Sequence, residues 1–350
     1  MVDIDKDNLP NIIDGNVPKN YELCKEGDIV FADASEDTNE VAKAVEYYNL
    51  NGKKVVCGLH TIHGRDNKNK TVVGYKGYAF SSMSFHHQIR RIAQGTKIYS
   101  INSKNFSECY VGIPSKDEQQ KIADLLRLID ERIATQNKII EDLKKLKSAI
   151  IEKVFNGKHS ERLQLDNVGS YIRGLTYSSN DVVEHGGTLV MRSNNIVNGS
   201  LLDYNNNVVF VNKQMSAEQQ LQNGDVVICM ANGSSSLVGK SSFYDGSCHS
   251  PITVGAFCGI YRSKEPIVKW LFQTNKYRRY IWNSLQGGNG AIANLNGEDI
   301  LNMSFSIPNA TIKDTCVKML TSVDSALENN MSLCALYTLQ KQHLLRLMFI

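Results

Sequence analysis

Two stretches of this chain repeat each other at a fixed offset. Residues 113–155 open on Ile113-Pro114 and run through a long charged segment to Lys147 and Phe155. Residues 307–349 open on Ile307-Pro308 and run to Lys341 and Phe349. An offset of 194 carries Asp130 onto Asp324, Lys147 onto Lys341 and Phe155 onto Phe349. A tandem duplication of this kind fixes the architecture before any other reading. It predicts two similar globular units, each followed by the same helix. With 350 residues, 42% of them hydrophobic, the chain has room for two real cores.

The first helix is predicted after Ser115, with Asp117 and Glu118 where acids suit the positive end of a helix dipole. Its apolar seam reads Ile122, Leu126, Ile129, Ile133, Gln136, Ile140, Leu143, Lys147, Ile150, Val154. The second reads Cys316, Leu320, Val323, Leu327, Asn330, Cys334, Tyr337, Lys341, Leu344, Met348. Steps of four and three alternate, the heptad rule of a coiled coil. Each seam carries an amide at its middle and a lysine further on. If the helices pair antiparallel, Gln136 meets Asn330 in a polar layer that lowers stability and selects register. A plain dimerisation coil is the simpler alternative, but two copies in one chain favour an intramolecular pair.

The duplication extends upstream. Gly27-Asp28-Ile29-Val30 matches Gly224-Asp225-Val226-Val227 at offset 197, and Asn11-Ile12-Ile13-Asp14-Gly15 matches Asn195-Ile196-Val197-Asn198-Gly199 at offset 184. Short β-rich runs, Val226–Met230 and Val208–Val211, and predicted helices at Ser84–Ala93 and Ile267–Leu285 give an α+β class. A common frame with divergent loops suits two domains that recognise two different targets.

At this point the residues resemble a known family. The run Ile113-Pro114…Glu118-Gln119-Gln120-Lys121…Asp130-Glu131-Arg132…Phe155 is similar to the central conserved region of type I restriction–modification specificity subunits. So are Gly27–Glu36, Gly58-Leu59-His60-Thr61, Gln94-Gly95, and the segment Leu165…Val168-Gly169…Arg173-Gly174-Leu175-Thr176-Tyr177. The resemblance covers nearly the whole chain. It implies two similar α/β target-recognition domains separated by two long helices that pair as an antiparallel coiled coil. The boundaries are a first recognition domain at 1–112, helical spacers at 113–157 and 307–350, and a second recognition domain at 158–306. It implies double-stranded DNA as ligand and two DNA methyltransferase subunits as partners, with a restriction–translocase subunit beyond them. S-adenosylmethionine, ATP and Mg would belong to those partners, so no cofactor and no catalytic residue are expected here. Two departures stand out. The second copy has Ile312-Lys313-Asp314-Thr315 in place of Glu118-Gln119-Gln120-Lys121. The first domain looks short, with no counterpart for Arg162–Glu184, as a late-set start or a recombination fragment would leave it.

Candidate DNA contacts follow from residue type and place. Arg90, Arg91 and Gln94 in the first domain and Lys276, Arg278 and Arg279 in the second lie on or after the predicted helices. Arg173, Arg192, Asn194, Lys240 and Asn289 lie at strand ends and in glycine-rich loops. Arg and Lys neutralise phosphate, and Arg, Asn and Gln pair with base edges. The competing account for each is a solvated helix face or an ordinary turn. Gly233–Ser241 resembles a phosphate-binding loop, but five residues separate its glycines where four are needed, and strand rather than helix follows. His60-x-x-His63 lacks a Cys or acidic partner at ligand spacing, so no metal is expected.

The remaining composition narrows the class. A methyltransferase acting alone needs an Asn/Asp-Pro-Pro-aromatic motif, and the six prolines include no Pro-Pro pair. The net charge of +3 permits a nucleic-acid partner without arguing for one. The N-terminus lacks signal-peptide character. The eight scattered cysteines read as buried free thiols, which together suggest a cytoplasmic protein. A coiled-coil adaptor, or a silent subunit that reads no DNA, is the alternative function.

Overall fold

The structure is a computed structural model that describes residues 1–12, 21–157, 161–285 and 293–349. It separates into two compact units, Met1–Ile139 with Asn330–Ile350 and Ile140–Asn329. The sequence boundaries mark where the helices begin, but compactness cuts elsewhere. Each helix is divided near its middle, and each unit takes half of both. No helix among the described residues is long and apolar enough to cross a membrane.

The first unit holds strands β1 (Val2–Asp3), β2 (Ile29–Ala32), β3 (Ala34–Ser35), β4 (Ala44–Asn49), β5 (Thr61–Gly64) and β6 (Tyr99–Ser100). Its helices are α1 (Tyr75–Ala79), α2 (Met83–Ile92), α3 (Ser103–Phe106) and the first part of α4 (Lys116–Phe155). The sheet order is β1-β4-β2-β5. It is entered through a tight turn. Gly27 adopts φ 82°, a left-handed conformation that favours glycine. Asp28 closes the turn by accepting from the Lys25 amide at 2.8 Å.

The second unit holds β7 (Glu161–Gln164), α5 (Leu165–Val168), β8 (Gly169–Arg173), β9 (Val182–Val183), β10 (Thr188–Met191), β11 (Val209–Val211), β12 (Val226–Cys229), β13 (Ala231–Asn232), β14 (Ser241–Phe243), β15 (Ile252–Val254) and β16 (Cys258–Ser263). After these come α6 (Val268–Leu271), α7 (Asn275–Leu285), β17 (Ala293–Asn294), α8 (Gly297–Leu301), β18 (Ser304–Ile307) and the first part of α9 (Ala310–Met348), and the second part of α4 precedes them all. Its sheets run β14-β12-β16-β8 and β15-β10-β11-β9.

The units share a frame residue by residue. Gly224 repeats the left-handed turn at φ 90°, and Asp225 accepts from the Gln222 amide at 2.7 Å. β2 with β4 corresponds to β12 with β14, and β3 with β6 corresponds to β13 with β17. α1 and α2 correspond to α6 and α7. The single helix expected over Ile267–Leu285 is therefore two, broken where Thr274 accepts from the Tyr277 amide, just as Ser82 accepts from Phe85. Such a side-chain cap satisfies an orphan amide at the new helix start.

Among the described residues, the first unit has no counterpart of β8, β9, β10 or β11, and the counterpart of β15, residues 55–57, makes only an isolated bridge to Leu23. Val2 pairs parallel to β4 at Tyr47, one residue beyond Glu46, the counterpart of the Phe243 to which Leu201 pairs parallel. β1 thus lies beside β4 near the place that Leu201 takes beside β14.

The helices pair antiparallel within each unit. In the first, Gln136 donates to Asn330, and Cys334 lies 3.3 Å from the Asn137 amide oxygen. The polar layer anticipated from the seams is therefore formed. Leu126 and Ala123 share a core with Tyr75, Tyr78, Ala79 and Phe349. In the second unit the matching core joins Ile151, Val154, Phe155, Cys316 and Leu320 to Ile267, Trp270 and Leu271. The seams miss one feature, since Ile151 and Asp324 are buried although neither lies on them.

Candidate nucleic-acid interface

In the second unit the ends of β8, β10 and β12 converge. The Leu175 amide donates to Val254 at 2.7 Å and the Gly255 amide to Met191 at 2.8 Å. The Met230 and Ala231 amides both donate to Phe257. Asn232 reaches the Ser193 hydroxyl at 3.3 Å. These bonds gather Arg173, Arg192, Asn194, Asn232 and the two-thirds-exposed Phe257 on one loop cluster. Buried Asn195 braces it by donating to Asp203 and Asn206 carbonyls and accepting from the Arg192 amide. Gly174 could be nothing else, since a Cβ there would lie 2.2 Å from the Gly255 oxygen. Arg173, Arg192 and Asn194 are exposed, so cations and an amide are free to meet phosphate and base edges.

The other candidates fall apart from this cluster. Arg278 and Arg279 are exposed on α7 beside Trp282. Lys276 is half-buried, with its ammonium over the rings of Tyr280 and Phe305 at 5.8 and 5.7 Å. Lys240 is half-buried before β14, and the strand that follows removes the helix a phosphate loop requires. Asn289 lies outside the described residues. In the first unit Arg90 and Arg91 are exposed in the last turn of α2. Gln94 begins a turn in which its backbone exchanges two hydrogen bonds with Ser100. That turn requires Gly95, whose φ is 142° and whose added Cβ would lie 1.9 Å from the Ile98 oxygen.

Several charged groups that fix this frame escaped the sequence reading. Asp225 is held by Arg262, with nitrogens at 2.9 and 2.7 Å. Asp28 is held in the same way by Arg65. Burial opposes ionisation of Asp28, but hydrogen bonds from Arg65, the Lys25 amide and His63 hold its carboxyl at about 2. Each Arg follows its Asp by the same 37 residues, a signal the duplication itself contains. On the helices the repeats cross-pair. Lys147 meets Asp324 at 2.7 Å, and Lys341 meets Asp130 at 2.6 Å. Trp270 donates to Asp324 and Tyr78 to Asp130, both from the α-helical arm of the recognition domain. Burial pushes Lys147 below the ordinary lysine range, against the attraction of Asp324. His60 is exposed and faces Asp33 at 3.7 Å. His63 instead lies with Cys24 and Cys57.

Comparison with known proteins agrees with this frame. Residues 7–145 match the family model described as type I restriction modification DNA specificity domain. The EcoKI specificity subunit of Escherichia coli K12 is 33% identical over 158 residues, covering 42% of this chain and 31% of that protein. The StySPI specificity subunit of Salmonella potsdam is 32% identical over 156 residues, with the same two coverages. The chain thus spans about a third of the length of the curated relatives it matches. In fold it is similar to the type I restriction–modification S subunit of M. genitalium, with a TM-score of 0.59 at 16% identity over 95% of this chain and 84% of that one. The sequence of the first domain and its helix is thus similar to type I restriction modification DNA specificity domains, and the repeated α+β frame with antiparallel helices is similar in fold to a type I restriction–modification S subunit.

Proposed function

We propose that this chain is the DNA-specificity subunit of a type I restriction–modification complex and carries out no chemistry of its own. Each unit reads one half of a split target in double-stranded DNA. The paired helices set the gap between the halves and dock two DNA methyltransferase subunits, and a restriction–translocase subunit completes the complex. S-adenosylmethionine, ATP and Mg serve those partners, and the complex works in the cytoplasm. The observation that carries the reading is one frame built twice with different loops, each copy locked to the helices by the same Asp–Lys pair. Conserved framing with divergent exposed loops is what two separate target words demand.

One observation favours a narrower version, in which only the second unit reads. The loop that presents Arg192 and Asn194 follows β10, a strand with no counterpart among the described residues of the first unit.

The test is methylation sequencing of DNA from cells that co-express the chain and its methyltransferase subunit. A split motif with a fixed gap is expected. Arg192→Ala with Asn194→Ala should relax one half of it, and Arg90→Ala with Arg91→Ala the other. A motif unchanged by the first pair would sink the reading, and one unchanged only by the second would establish the narrower version. In vitro, Arg278→Ala with Arg279→Ala should weaken binding to all sequences. The salt slope should fall by about one for each phosphate no longer neutralised.

A further inference from the structure

At three positions the two recognition domains solve the same packing problem differently. In the second unit Leu221, Val254 and Ile260 are buried in one apolar core with Leu189 and Met191 of β10. The offset of 197 places Cys24, Cys57 and His63 at the corresponding positions of the first unit. The equivalence holds in the backbone. The Cys24 amide donates to Val55 as the Leu221 amide donates to Ile252, both at 2.9 Å. β5, which bears His63, pairs with β2 as β16 pairs with β12. The first unit retains Val30, Tyr47 and Val55 from this core, but no described strand takes the place of β10.

Into that reduced core the chain brings three soft or borderline ligands. Their ligand atoms all lie within 4.8 Å of one another, and the two sulfurs are 3.2 Å apart. With Zn–S and Zn–N bonds of roughly 2.3 and 2.1 Å, the edges of a tetrahedral site are about 3.4–3.8 Å. Shifts of about an ångström or less therefore convert the cluster into a ligand set. The imidazole is already oriented, because Asp28, itself buried and locked by Arg65, holds Nε2 at 2.9 Å. Nδ1 is then the nitrogen to bind, and a carboxylate on the far nitrogen is the usual outer support of a metal-bound histidine. Glu22 lies 3.5 Å from Nδ1 and supplies a fourth oxygen by a small rotation, or leaves that place to water.

We infer that Cys24, Cys57 and His63 form a binding site for zinc or a similar borderline-soft divalent cation. Binding converts both thiols to thiolates, releases their two protons to solvent and leaves the histidine neutral. The metal staples the loop before β2 to the segment before β5, which in the second unit is done by apolar contact with β10. Small cores that cannot bury enough apolar surface commonly rely on such a staple. The inference does not depend on DNA reading, and its test does not use it.

The full chain, purified reduced from zinc-supplemented cells, should carry about one zinc by plasma mass spectrometry. Cobalt(II) in its place should give near-ultraviolet thiolate-to-cobalt absorption and intense visible bands. Cys24→Leu with Cys57→Val installs the second unit's residues, and should keep the circular dichroism while losing both signals. His60→Ala and Cys109→Ser should keep both. If the double variant misfolds, His63→Ala decides by the same visible bands, which should weaken or shift. The inference fails if the wild-type chain takes up neither metal, if the cobalt spectrum is unchanged by these substitutions, or if Cys24 and Cys57 are recovered from reducing cells as a disulfide.

Discussion

The two units carry one design in two states of burial. In the second, Asp324 is buried and receives Lys147, Lys269 at 3.4 Å and the Trp270 indole. In the first, Asp130 receives Lys341 and the Tyr78 hydroxyl, and about a third of the carboxylate and of the ammonium side chain is exposed. Gly77 stands where the second unit has Lys269. The contrast reverses in the sheets. Phe243 and Val268 are apolar and buried in the second unit, and their counterparts in the first are the buried pair Glu46 and Lys76, 3.0 Å apart. Glu46 also accepts from the Gly74 and Gly77 amides. The frame therefore conserves positions rather than chemistry. The Asp–Lys pair recurs in both units at different depth, and the first unit adds a buried Glu46–Lys76 pair where the second is apolar.

This comparison can be broken in order of effect. Asp324→Asn strands two ammonium groups in low dielectric and should cost about 3–5 kcal/mol, read from urea unfolding of the full chain. Glu46→Gln should cost a similar amount by stranding Lys76. The double change Glu46→Phe with Lys76→Val copies the second unit and should recover most of that loss, since apolar replacement of a buried pair is often neutral. Asp130→Asn should cost only about 1 kcal/mol, because water reaches its partner. Equal losses for Asp130→Asn and Asp324→Asn would refute the difference in burial. Smallest is the mid-helix layer. Gln136→Leu with Asn330→Leu should leave stability within about 1 kcal/mol or raise it, while relaxing helix register as read by engineered cross-links.

Much of this fold was legible beforehand, for identifiable reasons. The repeat exposed the helices, and the amides at matched seam positions marked Gln136 and Asn330 as partners if the helices run antiparallel, as they do. Local patterns sufficed there because helix periodicity is short-range. The Asp–Lys cross-pairs were not legible, because Asp324 sits off the seam and meets Lys147 only once the helices are paired. The break between α6 and α7 was hidden because Phe272, Gln273 and Thr274 carry no glycine or proline. The candidate interface was legible as residue types at loop ends. Which of them share a surface was not, since Arg173, Arg192 and Asn194 come together through three strands distant in sequence. The Cys24, Cys57 and His63 cluster has no regular spacing, and only superposing the repeats gives it meaning.

The division of the helices also sets an order of events on the ribosome. The second unit is one continuous segment, 140–329, inserted in the first. The first unit is begun earlier, yet it contains Asn330, Lys341 and Phe349, which are made after the second unit. Domains generally fold as they emerge, N-terminal before C-terminal. Here the later-made unit can close while the earlier one still waits for the second part of α9. Nascent chains stalled before residue 330 should protect the second unit from protease and leave the first open to it.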